Sequence, residues 1–208
     1  MAYPTVSAPY GLQALNRVDG LPYAGAIRQI PIASTYNTPI YNGDVVNIVA
    51  GGTIAKSLVT SNVSANTATT TAGVFVGVQY VNSQGQTVQG QYYPGNAAAT
   101  SAIAYVIDDP LAAFKVAVTA SNSAMSYVNG SVVGVNMALV QGTGSNTTGD
   151  SGVSVLASSN AAGNSAVLPV RVIAVIPDTA INTSAYTEVL VKFNNHQYNN
   201  TTGLDYVA

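Results

Sequence analysis

The sequence predicts an all-β protein: a compact β-barrel or β-sandwich of about ten short strands, with extended N- and C-terminal arms. Three observations carry this. Apolar residues come in short runs rich in Val, Ile, Phe and Tyr rather than at helical spacing. Clusters of Gly, Pro, Asn, Asp and Ser interrupt these runs at short intervals. The chain of 208 residues has 6 Lys plus Arg, 8 Asp plus Glu and a single Glu, Glu188, whereas surface helices draw on Glu and Lys for their polar face.

The elements follow in order. Residues 1–36 contain Pro4, Pro9, Pro22 and Pro31, too closely spaced for a long helix, with Tyr3, Tyr10, Tyr23 and Tyr36 among them. This segment reads as an extended arm running into a first strand at 26–33. Its aromatic anchors favour an arm docked on a surface over a loose terminus. Residues 37–193 read as the β domain. Runs at 44–50 and 53–58 flank Gly51-Gly52, a hairpin signal. Further strands are expected at 73–81, 87–93, 103–107 and 114–119, with a turn at 82–86 and a helical turn at 109–113. The second half adds 131–140, 153–156, 167–176 and 186–193, with a long polar loop at 141–152. A division into two lobes near residue 122 is possible, but one domain with arms is the first choice. No repeat of fixed period is visible. Residues 194–208 form a polar C-terminal tail.

Composition excludes several functions. The six cations are scattered, so no phosphate-binding patch is expected. No apolar run is long enough to span a membrane, and no signal peptide is expected. The absence of Cys removes disulfides and thiol chemistry and fits synthesis in a reducing cytosol. Ser, Thr and Asn supply 57 residues, so the surface is polar but weakly charged. Covering such a surface with a neighbour costs little desolvation.

Each motif with chemical potential has a plainer reading. His196, the sole imidazole, sits among Asn194, Asn195 and Gln197 with no catalytic partner in sequence. Gly149-Asp150-Ser151-Gly152 matches the nucleophile motif of chymotrypsin-like proteases, but the only His follows the Ser, so it reads as a turn. Asp108-Asp109 precedes Pro110 and also reads as a turn. The 13 Tyr suit either sugar stacking or protein interfaces, and the absence of Trp favours interfaces. No enzyme activity, metal or cofactor is expected.

One ordered set of segments resembles a known family. Pro9-Tyr10-Gly11-Leu12, Gly25-Ala26-Ile27-Arg28-Gln29-Ile30-Pro31-Ile32-Ala33-Ser34 and Asn42-Gly43-Asp44-Val45-Val46 come first. Gly73-Val74-Phe75-Val76-Gly77-Val78, Tyr92-Tyr93-Pro94 and Ala104-Tyr105-Val106-Ile107-Asp108-Asp109-Pro110 follow. A weaker return is at Asn195-His196-Gln197 and Thr202-Gly203. Together they resemble the capsid decoration, or cement, proteins of marine and freshwater (cyanophage-like) tailed bacteriophages. Residues 123–193 do not carry the resemblance. It implies a virion protein, made in the host cytoplasm, that binds the outer capsid surface and bridges neighbouring major capsid subunits to stabilise the head. The expected partners are the major capsid protein and copies of itself, with a homotrimer favoured, and neither nucleic acid nor membrane. The expected interface residues are Tyr3, Pro4, Pro9, Tyr10 and Leu12 in the arm, and Asn195, His196 and Gln197 in the tail. Removing residues 1–15 should then weaken capsid binding and leave the β fold intact. The alternative is a glycan-binding, adhesin-like β module on a virion or cell surface. A hydrolase built on Ser151 is the third reading.

Overall fold

The computed structural model describes residues 6–57, 70–95, 100–120, 126–157, 162–163, 168–180 and 186–199. Thirteen strands and three short 3-10 turns make up its regular structure, and the protein is all-β. The strands are β1 (Gln13–Arg17), β2 (Arg28–Pro31), β3 (Val45–Val49), β4 (Thr53–Lys56), β5 (Gly73–Val81), β6 (Thr87–Gly90) and β7 (Thr100–Ile107). They continue with β8 (Ala112–Thr119), β9 (Asn136–Val140), β10 (Ser154–Leu156), β11 (Ala162–Gly163), β12 (Val170–Val175) and β13 (Glu188–Phe193).

Apart from β1, which pairs with β8, the strands up to β7 form one sheet and those from β8 onward form a second, with the changeover at residues 108–111. The second sheet is a closed barrel: β8-β10-β9-β12-β13, with β13 returning to β8. Five strands cannot alternate direction all the way round a ring, so one pair must run parallel. That pair is β8–β10. The first sheet has the order β2-β7-β5-β3-β4, and a single parallel bridge, Ile32–Ile54, brings its two ends together. Five of its six strands thus make a ring with one parallel contact, and β6 pairs with β5 off that path.

The two rings are copies of one plan. Counting strands within each (β2, β3, β4, β5, β7 and β8, β9, β10, β12, β13), the circular order is first-third-second-fourth-fifth in both. Details agree as well. Gly43 N–H donates to Phe75 O and Phe75 N–H to Asp44 O; Gly134 N–H donates to Val172 O and Val172 N–H to Val135 O. The preceding turn is shared: Asp44 N–H to Tyr41 O, and Val135 N–H to Val132 O. Both fourth strands carry a β-bulge at the same place, between Phe75 and Gly77 and between Val172 and Ala174. The sequence shows no such repeat, because the correspondence lies in backbone geometry and not in residue identity.

Alternation along the strands builds two cores. Val46, Phe75 and Val106 point into the first ring with Ile30, Ile54 and Tyr93. Met137, Val172 and Val191 occupy the equivalent places in the barrel, among Phe114, Val116, Val155 and Phe193. The opposite face of the first ring, at Val45, Val74 and Ile107, is also buried, in one cluster with Leu12, Phe114 and Val153. That cluster joins the two rings.

Several expected elements are placed differently. β1 lies inside the segment read as an arm. Gln-Ala-Leu-Asn-Arg has weak strand propensity, and its ladder comes from β8. Ala112 and Ala113 open β8 rather than close a helical turn. The run at 131–140 begins as a 3-10 turn, Gly130–Val132, which Asn129 caps through Ser131 N–H. The short β11 continues the β10 edge of β9 and was not expected. The Gly51-Gly52 hairpin is present as a three-residue loop, Ala50 to Gly52, with φ of +87° and +73° at the two glycines.

Candidate functional site

The expected interface residues lie at two places. Tyr3 and Pro4 fall outside the described residues. The following segment docks on its own chain: Val6 bridges Tyr186, and the Tyr10 hydroxyl donates to the Glu188 carboxylate. Lys115 Nζ sits 3.2 Å from the same carboxylate and over the Tyr10 ring. Burial first, and the Glu188 carboxylate second, push the Tyr10 hydroxyl well above its usual range, so it remains a donor. Pro9 is half-buried, and Leu12 is buried in the core. As an outward contact Leu12 is therefore corrected: its side chain is spent inside the molecule.

The tail residues are stitched into the first ring. Thr71 and His196 form a parallel bridge, with Thr71 N–H donating to Asn195 O and Gln197 N–H to Thr71 O. The Gln197 side-chain amide accepts from Ile48 N–H at 2.7 Å and donates to Ile48 O at 3.0 Å, like an added rung on β3. His196 is buried, and its Nδ1 accepts Tyr198 N–H. Burial lowers its pKa, against the opposing charge of Asp108. His196 is thus also corrected from a contact residue to an internal one, while Asn195 and Gln197 are half-buried.

A buried constellation that the sequence did not single out sits where the two rings meet. Asp44 is wholly buried and receives Lys56 Nζ at 2.8 Å, Ser151 Oγ at 2.5 Å, Tyr41 N–H at 2.8 Å and Gln141 Nε2 at 3.2 Å. Ser151 is the serine of the Gly-Asp-Ser-Gly motif, and its Oγ also accepts Val153 N–H. It is 2% exposed and bonded directly to a carboxylate that a cation already neutralises, so no base is free to activate it and no substrate reaches it. Gly11 and Gly43 face each other beside it, with φ of +85° and +90°. A Cβ on Gly11 would lie 2.8 Å from both Gly43 Cα and Ser151 Cβ. The motifs Pro9-Tyr10-Gly11-Leu12 and Asn42-Gly43-Asp44 are the two sides of this joint. Asp108 and Asp109 part company: Asp108 pairs with Arg28, and Asp109 with Arg17 while capping Leu111 N–H. The described residues contain no group of three potential metal ligands and no helix long and apolar enough to cross a membrane.

The surface feature that needs explaining is apolar. Leu15, Val18, Leu21, Ile27 and Leu111 are each at least 40% exposed. Four fall within 15–27, and Val18 N–H donates to Leu111 O. β1 pairs with β8 along one edge, and its other edge carries a single bridge, Asn16–Pro22. The sequence reading passed over these residues because it followed the Tyr and Pro of the arm. The signal available was aliphatic residues in a segment with too few neighbours to bury them. No family model, curated protein or solved structure gives a significant match to the chain.

Proposed function

We propose that this chain is a non-enzymatic virion structural protein that decorates the outer capsid surface of a tailed bacteriophage. It bridges neighbouring major capsid subunits and acts as a homo-oligomer, with a trimer favoured. The reading rests on the ordered family-like segments, and the observation that carries it is the exposed aliphatic strip on the β1 edge. Exposed aliphatics also occur elsewhere, at Ile103 and Val133, but Leu15, Val18, Leu21 and Ile27 gather in one short segment, and such a cluster fits an interaction face. An open strand edge beside it offers backbone pairing to a neighbour. The weakly charged surface around it costs little to desolvate. The glycan-binding alternative needs a ladder of exposed Tyr. Tyr93 is buried against Tyr36, and Tyr41 stacks on Tyr92. Among the described tyrosines only Tyr127 and Tyr198 are exposed, which is short of a ladder.

The test mixes purified protein with undecorated heads of the phage that encodes it, followed by sedimentation and light scattering. Saturable co-sedimentation is expected, and Leu15→Ser with Leu21→Ser should weaken it by about tenfold or more without lowering Tm. Protein that stays in the supernatant at all concentrations refutes the reading.

A further inference from the structure

Equivalent positions in the two rings have been put to different uses. In the first ring, Val45, Val74 and Ile107 sit side by side on β3, β5 and β7, and this row packs against the barrel. The same register places Asn136, Arg171 and Lys192 side by side on β9, β12 and β13. This second row is not covered by a ring. It lies in a cleft of about 370 Å³, which is also lined by Leu111, Asn194 and Asn195.

Charge makes the cleft unusual for this protein. Arg17, Arg28, Lys56 and Lys115 each pair with a carboxylate. Among the described residues, Arg171 and Lys192 are the two cations that do not. They are direct cross-strand partners, an arrangement in which like charges repel. Arg171 is also held in place. Asn136, 4% exposed, accepts Arg171 Nε at 2.9 Å and Asn194 Nδ2 at 3.1 Å on one oxygen. Fixing Nε leaves the terminal guanidinium nitrogens available as a fork of donors, which matches the two oxygens of a carboxylate.

We infer that this cleft binds a carboxylate side chain presented by an extended segment of another protein molecule. The equivalent face of the first ring is already occupied by protein, through Leu12 and Val153, which argues for a peptide occupant. The change from Val-Val-Ile to Asn-Arg-Lys sets the chemistry of that peptide as acidic. The inference does not rest on the capsid reading, since it names the chemistry of the partner and not its identity, although Val18 and Leu111 of the aliphatic strip border the cleft.

The test is an NMR titration of the full chain with a blocked Gly-Glu-Gly peptide. Gly-Gln-Gly is the neutral control, and inorganic phosphate is a separate arm, all at constant ionic strength. Saturable shifts centred on Asn136, Arg171, Lys192 and Asn194 are expected with the Glu peptide and not with the Gln peptide. R171Q and K192Q, checked for unchanged Tm, should each weaken binding by about tenfold. N136A should weaken it through loss of Arg171 positioning, with Lys192 shifts retained. Saturation by phosphate but not by the Glu peptide overturns the assignment in favour of a small-anion site. Shifts that persist unchanged in the double variant R171Q/K192Q overturn the site altogether.

Discussion

At the scale of single residues, the molecule depends on a few buried polar groups in a chain with little charge to spare. Asp44 is the clearest. Its carboxylate is wholly enclosed and its partner Lys56 is 8% exposed, so neither can fall back on water. Asp44→Ala is expected to cost about 3–5 kcal/mol, because it strands a buried ammonium and leaves the Ser151 hydroxyl and Tyr41 N–H without their acceptor. Urea melts measure this, and Lys56→Met added to Asp44→Ala should recover part of the loss. His196 makes stability depend on pH. Its ordinary pKa is 6.5, and burial lowers it in the folded chain. Between those two values the unfolded chain binds a proton that the folded chain refuses, so stability falls as pH drops below about 6.5. The difference in Tm between pH 7.5 and pH 5.5 should shrink in His196→Asn, whose side-chain oxygen still accepts Tyr198 N–H. The carboxylates are the same in both proteins and cancel in the comparison. Sequence alone put His196 in a polar tail. Its burial was not legible there, because the residues that cover it, around Thr71 and Tyr198, are remote or polar.

At the scale of elements, strands with their own hydrophobic pattern were legible and strands made by their neighbours were not. Gly73–Val81 and the Gly-Gly hairpin declare themselves through β-branched residues and a turn that needs positive φ. β1 and β11 exist because β8 and β9 offer edges to them. The same distinction changes what the N-terminal arm is for. Residues 6–12 bridge to Tyr186, bond to Glu188 and insert Leu12 into the core, and β1 begins at residue 13. Removing residues 1–15 is therefore expected to lower Tm sharply, not to leave the fold intact. The loss of Leu12 alone is worth about 2–5 kcal/mol. A differential scan of the truncated protein checks this; a Tm within a degree or two of the full chain means that the arm contributes nothing to the fold.

At the scale of the whole molecule, two five-stranded rings of one plan meet at a joint, and the face that makes the joint in one ring is left uncovered in the other by the described residues. The fold class was legible because short strands and turn clusters recur along the entire chain. The repeated plan was not, since it lies in strand order, hydrogen-bond pattern and bulge position rather than in residue identity. The candidate surfaces were not legible: the aliphatic strip appears only once exposure is known, and the Asn-Arg-Lys row only once register is known. The joint also has a consequence for the order of events during synthesis. The strands of the first ring, 28–107, emerge as one continuous stretch and can pair as soon as they are made. Yet residues 6–12 and β1, which emerge before them, find only part of their contacts there, through Leu12 N–H to Gly43 O; their long-range partners are β8, Val153, Tyr186 and Glu188, with Tyr10 and Glu188 178 residues apart. The first segment of the chain must wait for nearly the last. Pairings of such long separation form slowly. Until the barrel closes, the row Val45-Val74-Ile107 faces solvent, and the nascent chain depends on rapid completion or on a chaperone to stay unaggregated.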